Sequence, residues 1–357
     1  MYKYLISEDG ELLRVVEGDT EKTTVNGSMR TITNGTDDDG KSYVQNGNAK
    51  ITSDTDDFGR KIKVNTKVDD SPKFSVNYTY KNVGETHRTT NNVDEMTYKL
   101  GDGENATQIA KYKYSYDSNG NITEVWDGNN KIAKYQYDSL NQIKVAWDYQ
   151  QNLKFTYTYD NSGNISGATN QALDPRYGED YTVGSPHSID YYYNDSSWGD
   201  LLTSLNSTSL SYDNIGNPTS YRDGMEMTWS GRELQSITKN SNTYNFTYNL
   251  DGLRTKREKK QGDTVLETVN YYYDDSNNLI GLKKDYTTVL FYYDSEGKVY
   301  SMTKGNDTYF FVKNLQGDVT KIIDENGTIC ATYAYDAWGG ILATKNENGQ
   351  EINNRFH

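Results

Sequence analysis

Residues 111–141 read KYKYSYDSNGNITEVWDGNNKIAKYQYDSLN. A tyrosine followed by Asp, two variable residues and then Gly or Asn occurs twice in this stretch, at Tyr116-Asp117…Gly120 and Tyr137-Asp138…Asn141, 21 residues apart. The same unit returns 22 residues later at Tyr159-Asp160…Gly163. It recurs at Tyr212-Asp213…Gly216, Tyr273-Asp274…Asn277, Tyr293-Asp294…Gly297 and Tyr335-Asp336…Gly339. Tyr248-Asn249…Gly252 carries Asn in the aspartate place, and Asp56…Gly59-Arg60 is a weaker copy with Thr55 in the tyrosine place. A signature that repeats at a fixed period marks one supersecondary unit used many times.

The chemistry of the unit accounts for its spacing. Asp at the end of a strand can accept a backbone N–H further on and so nucleate a turn. Gly or Asn, three residues after it, tolerates the positive φ that a short hairpin loop requires. Each Asp-x-x-Gly/Asn therefore predicts a hairpin turn, and each repeat predicts two strands of roughly seven residues. The strands leading in alternate: Tyr112, Tyr114 and Tyr116 against Lys111, Lys113 and Ser115; Phe155, Tyr157 and Tyr159 against Thr156 and Thr158; Tyr244, Phe246 and Tyr248 against Asn245 and Thr247. Period two with one aromatic and one polar face is the pattern of a half-wet antiparallel strand. No helical segment of convincing length is present.

Composition agrees. Of 357 residues 34% are hydrophobic, mean hydropathy is -0.93, and 33 Tyr stand against 8 Phe and 5 Trp. Such a chain cannot build a deep aliphatic core; tyrosine layers with their hydroxyl ends at a wet edge suit it better. Disorder is excluded, because disordered chains are poor in aromatic and β-branched residues. A net charge of -14 and a pI near 4.8 speak against a nucleic-acid partner. Cys330 is the single cysteine, so no internal disulfide forms. The start, MYKYLISEDGELL, lacks the basic-then-apolar pattern of a signal peptide. No run approaches the ~20 apolar residues of a membrane helix.

Along the chain, residues 1–110 read as an irregular β-hairpin segment, degenerate copies of the same repeat. Residues 111–357 carry the clear repeats. Within them 166–190 (SGATNQALDPRYGEDYTVGSPHSID) lose the period and hold Pro175 and Pro186, which predicts an irregular loop.

These residues resemble the YD-repeat/RHS family, which includes bacterial RHS and wall-associated polymorphic toxins, the C component of insecticidal toxin complexes, and animal teneurins. The resemblance rests on the repeats and on NLQGDVTKIIDENGTICATYAYDAWG at 314–339. Further matches are Trp198…Asp200-Leu201-Leu202, Tyr212-Asp213-Asn214-Ile215-Gly216-Asn217-Pro218, Trp229…Gly231-Arg232…Leu234 and Asn249…Gly252-Leu253-Arg254. It is clear over residues 111–345 and weak before them. It implies an all-β spiral of tandem antiparallel hairpins forming a hollow shell, or part of one. In toxin members the shell encloses a C-terminal toxin domain, released at an aspartate-containing motif. The chain ends at Phe356-His357, before the family's closing and cleavage motifs, and Asp174-Pro175 lacks the context of that motif, so no catalytic residue carries over. The expected role is a non-catalytic scaffold, secreted or at the cell surface within a larger parent, with the toxin cargo as partner. The teneurin branch implies a second reading, an adhesion or carbohydrate-binding scaffold with cell-surface glycans as partners.

Catalytic and metal chemistry find little support in the residues. His87, His187 and His357 form no HExxH or Cys–His spacing and read as loop or terminal residues. Cys330, in the run Ile329-Cys330-Ala331, reads as a buried, inert thiol. Asp117-Ser118-Asn119-Gly120-Asn121 and Thr36-Asp37-Asp38-Asp39-Gly40 look like calcium loops but lack the closing bidentate Glu, so turn formation is the better account. We therefore expect no cofactor and no metal. The melting temperature should be the same with and without EDTA; a drop of several degrees would restore the calcium reading.

Overall fold

The computed structural model describes residues 2–6, 12–82, 89–221 and 224–352. Among them run 31 strands, from β1 (Tyr2–Ile6) to β31 (Ile341–Asn346), and no α-helix. The protein is all-β. The strands form meanders of eighteen and thirteen members. A strand pairs antiparallel with its neighbours in sequence, as β10 (Thr107–Tyr116) does with β9 (Thr89–Leu100) and β11 (Ile122–Asp127).

The turn that begins at Asp117 shows why the repeat folds this way. Asp117 Oδ1 accepts from the backbone N–H of Asn119 and of Asn121, at 2.9 Å each. Gly120 N–H donates to the Asp117 carbonyl at 3.2 Å, and Asp117 N–H to the Asn121 carbonyl at 3.0 Å. Gly120 closes the loop with φ 85°. The two side-chain bonds, to residues two and four further on, are made again by Asp56, Asp138, Asp160, Asp213, Asn249, Asp274, Asp294 and Asp336. Asn141 and Asn277 stand in the glycine place with φ 62° and 65°. Asp37, Asp324 and Asn346 build the same turn. Many of the intervening hairpins use two-residue loops, such as Asn240-Ser241 (φ 50° and 62°) between β21 (Glu233–Lys239) and β22 (Asn242–Tyr248). Two consecutive positive φ values match the right-handed twist of the flanking strands.

The chain forms two compact units. One comprises Met1–Lys134, Tyr272–Leu282 and Thr287–His357; the other comprises Tyr135–Tyr271 and Lys283–Tyr286. Within the first, early strands pack face to face on late ones. Phe74 of β8 (Ser71–Asn82) stacks on Phe310 of β28 (Asp307–Lys313), with centroids 4.9 Å apart and planes at 12°. Tyr98, Tyr112, Tyr114 and Tyr300 are among its largest fully buried side chains. Their hydroxyls do not reach a wet edge, as composition alone suggested. They bond into the facing layer: Tyr98 to the Lys313 carbonyl (2.9 Å), Tyr112 with Thr320 Oγ1 (2.8 Å), Tyr78 with Tyr300 (3.3 Å), and Tyr114 accepts Leu315 N–H (3.0 Å). Burial without an orphaned hydroxyl is possible because the opposite sheet supplies backbone groups and hydroxyls at the right depth. In the second unit Val145, Trp147 and Leu173 form a smaller core.

Residues 166–190, expected to be an irregular loop, instead form most of β15 (Ile165–Leu173) and β16 (Thr182–Tyr192), which pair with each other. Pro186 does not break them because the register shifts between Asn170 and Ala172, leaving it in an irregularity where no ladder N–H is needed. Gly184 takes φ 72° there, and Gln171 Nε2 caps its carbonyl at 2.7 Å.

A side chain at Gly120 would meet no neighbouring atom within 4 Å, so any cost there is pure backbone strain. Gly120→Val should lose about 1 kcal/mol or more of stability in chemical denaturation. Gly120→Asn should lose clearly less, since Asn141 already holds this place. Equal losses would contradict the turn geometry.

Candidate functional site: the tyrosine tethers between hairpins

Five of the tyrosines that precede a turn Asp or Asn sit at a register shift. The shift falls between Ser115 and Tyr116, Thr158 and Tyr159, Thr247 and Tyr248, Tyr292 and Tyr293, and Ala334 and Tyr335. A bulge re-aims the side chain it carries. Here the ring leans back over the preceding hairpin, and its hydroxyl donates to a backbone carbonyl. Tyr159 reaches Ile143 (2.7 Å), Tyr293 reaches Leu279 (2.7 Å) and Tyr335 reaches Val319 (2.8 Å). Each acceptor is the fifth residue after the Asp or Asn that opens the earlier turn (Asp138, Asp274, Asn314). Tyr116 to Val93 (2.7 Å), Tyr212 to Leu202 (2.7 Å) and Tyr248 to Leu234 (2.9 Å) are variants. Thus Asp builds a turn and the adjoining Tyr ties that turn to an earlier hairpin. Tyr137 and Tyr273 hold the same sequence place and are half-buried.

One substitution reveals the rule. Lys313 precedes Asn314 where a tyrosine would stand, and its Nζ donates to the Val299 carbonyl at 2.6 Å. Val299 is the fifth residue after Asp294, the same acceptor place. The ammonium lies 4.1 Å from the centre of the Tyr300 ring. Lys313 is only 7% exposed, and burial pushes its pKa down to about 8, partly opposed by Asp294. Sequence reading missed this position because a lysine carries no trace of the tyrosine signature.

A second cluster lies in the other unit. Asn217 Nδ2 donates to Asp213 Oδ2 (2.8 Å) and to the Gly231 carbonyl (2.7 Å), while Arg232 donates to Asn217 Oδ1 (3.2 Å). Trp229 Nε1 donates to the Pro218 carbonyl at 2.7 Å. Gly216 has φ 83°, and a Cβ on it would overlap the Trp198 ring. The separate matches around Trp198, Tyr212–Pro218 and Trp229–Arg232 are therefore one packed corner.

Among the described residues, those weighed for chemistry form no cluster able to hold a metal. His187 lies exposed in β16; His87 and His357 are outside the described residues. Cys330 is half-buried rather than buried, because β30 (Ile329–Tyr335) begins at the exposed Ile329. Burial and the Asp324 and Glu347 charges push its thiol pKa up, away from nucleophilic character. Asp174 is clasped by Arg176 at 2.9 and 2.6 Å, which holds its carboxyl below the usual range.

The Lys313 slot makes a signed prediction. A lysine with a depressed folded pKa contributes its full stability only above the unfolded value of about 10.4, and loses it as pH falls through about 8. Lys313→Tyr restores the hydroxyl tether and removes the charged group. It should therefore stabilise the protein at pH 7 by roughly 1–3 kcal/mol, and by less at pH 9.5. No gain at pH 7 would show that the slot is not equivalent.

No family model matches the chain. Over 232 residues, 62% of the chain, it is 32% identical to tRNA nuclease WapA of Bacillus subtilis strain 168 and 29% identical to the tRNA3(Ser)-specific nuclease WapA of Bacillus spizizenii. The chain covers 9% of the length of each of these relatives. Among solved structures, the TcdB2-TccC3-Cdc42 complex matches 96% of the chain and 20% of that chain, with a TM-score of 0.60 at 13% identity. The Photorhabdus luminescens Tc holotoxin pore carrying a TccC3 mutation matches 98% of the chain and 18% of its own, at 0.60 and 16%. At these identities the structural likeness concerns the fold alone. The 20–22-residue tyrosine–aspartate period, the tethered hairpins and these likenesses are consistent with a fragment of a YD/RHS-repeat protein.

Proposed function

We propose that the chain is a non-catalytic section of a hairpin shell that encloses the toxin domain of a larger, secreted or surface-displayed bacterial toxin. The observation that carries this reading is the use of side-chain chemistry. The repeat tyrosines and aspartates are engaged in turns, tethers and layer contacts, which stiffen a wall. The likeness to two proteins named as WapA tRNA nucleases, of whose length the chain covers 9%, supports a nuclease-bearing parent. The fold likeness to TccC3-containing assemblies supports the enclosing role.

Two assays test it. The isolated chain, incubated with tRNA, should leave the tRNA intact, and cleavage that co-purifies with the folded chain would overturn the scaffold reading. In the parent protein, the segment following the repeats should resist protease while the wall is intact. Phe310→Ala, which hollows the stacked layer contact, should make that segment cleavable under the same conditions. Equal susceptibility of the wild-type parent would remove the enclosing role.

A further inference from the structure

Early and late strands of the first unit meet along a seam. Val25 of β3 (Thr20–Val25) and Ile32 of β4 (Ser28–Thr36) pack against Ile280 of β25 (Leu279–Lys284). Polar contacts flank that core: Asn26 Nδ2 donates to Thr288 Oγ1 at 3.1 Å, and Arg30 Nη2 to the Tyr292 hydroxyl at 3.4 Å. In the same strand as Val25 a carboxyl is buried. Glu21 is 7% exposed. Its Oε2 accepts the N–H of Asp275, in the turn after β24 (Thr264–Tyr273), at 3.1 Å. Its Oε1 is buried with no hydrogen-bond partner. The charged groups that face it come from two elements. β2 (Leu12–Glu17) supplies Arg14, whose Nε, 3.6 Å from Glu21 Oε1, makes no hydrogen bond, and whose Nη1 lies 3.5 Å from Asp275 Oδ1. The turn supplies Asp274 and Asp275. On the other side of β3, β4 sets the uncharged Ile32 opposite Glu21.

An ionised Glu21 is poorly served at this place. Three carboxyls, Glu21, Asp274 and Asp275, share one guanidinium, and one Glu21 oxygen meets no donor. Asp274 is committed elsewhere: its oxygens accept Ser276 N–H, Asn278 N–H and Asn278 Nδ2 within its own turn. From this geometry we propose that the Glu21 carboxyl is a proton-operated latch on the seam. A proton taken up there holds the turn after β24 against β2 and β3, and its loss loosens that contact. Burial, joined by the Asp274 charge and opposed by the Asp275 N–H, pushes the Glu21 pKa up to about 7. The folded value lies above the unfolded one, so by linkage the latch is at full strength below about 4.3, the ordinary glutamate value. It weakens as pH rises and is lost once pH passes about 7. The seam thus tightens in mild acid and slackens at neutral and alkaline pH. The latch goes beyond the scaffold reading and does not depend on what the wall encloses.

The test is amide hydrogen exchange of the whole chain from pH 5 to pH 8, corrected at each pH for the intrinsic rate, where reclosing outpaces exchange. Protection of the Asp275 amide, which bonds to Glu21, should fall by roughly fiftyfold to a hundredfold over that range, the factor set by the two pKa values. Glu21→Gln keeps the shape of the protonated carboxyl and cannot ionise. It should remove most of that fall and leave Asp275 better protected than in the wild type at pH 8. Carbon-13 titration of the Glu21 carboxyl in the unaltered chain, which needs no variant, should give a midpoint well above about 4.3. Flat protection of Asp275 in the wild type, an equal fall in Glu21→Gln, or a Glu21 midpoint at or below the ordinary value would each overturn the latch. None of these outcomes bears on the tRNA or protease assays.

Discussion

A turn carboxylate that accepts two backbone amides, at the second and fourth residues after it, sets the geometry from which everything else follows. It fixes the loop at one length, so the residue three positions on must take a positive φ and the strand before it must absorb a bulge. The bulge re-aims the preceding tyrosine onto the earlier hairpin. Its hydroxyl then finds a carbonyl five residues past the previous turn, as Tyr159, Tyr293 and Tyr335 do. Turn and tether are thus coupled through one dipeptide. The pair Tyr-Asp recurs because one bulge serves both, although the turn also forms without the tyrosine, as at Asp324 and Asn346.

This coupling explains how so polar a chain folds. Aliphatic side chains are too few for one deep core, and the buried area comes instead from aromatic rings between layers. A buried tyrosine is acceptable only where its hydroxyl has a partner. Tyr98, Tyr112 and Tyr114 meet that condition through the late strands of the same unit. Desolvation pushes their hydroxyl pKa values up, so they remain neutral donors at any physiological pH. The Lys313 slot shows the limit of tolerance: a lysine reaches the same carbonyl, but its charge must be held away from water.

Much of the fold was legible because its signal is local. The Asp-to-Gly spacing and the alternating aromatics are written within a dozen residues, and the all-β architecture follows from them. Three things were not legible. At the turns of Asp324 and Asn346 the preceding residues are Ile323 and Lys345, so the tyrosine cue is missing although the hydrogen bonds are the same. Residues 166–190 lost the period, yet strands β15 and β16 form there because a register irregularity absorbs the proline. The layer contacts, such as Phe74 on Phe310, join residues far apart in sequence, and no periodicity encodes them.

The claim that turn carboxylates govern the architecture is tested most directly by a carbon-13 NMR titration of the aspartate carboxyls. The side-chain amide of Asn121 and then the backbone N–H groups of the loop favour the ionised form of Asp117, and Asn164 does the same for Asp160. Both should titrate below the ordinary aspartate value of about 3.9. By linkage, the stability they provide is complete above that value and is lost as pH falls through their folded pKa. If Asp117 and Asp160 titrate at or above the ordinary value in the folded protein, their carboxylates do not hold the turns, and the account fails.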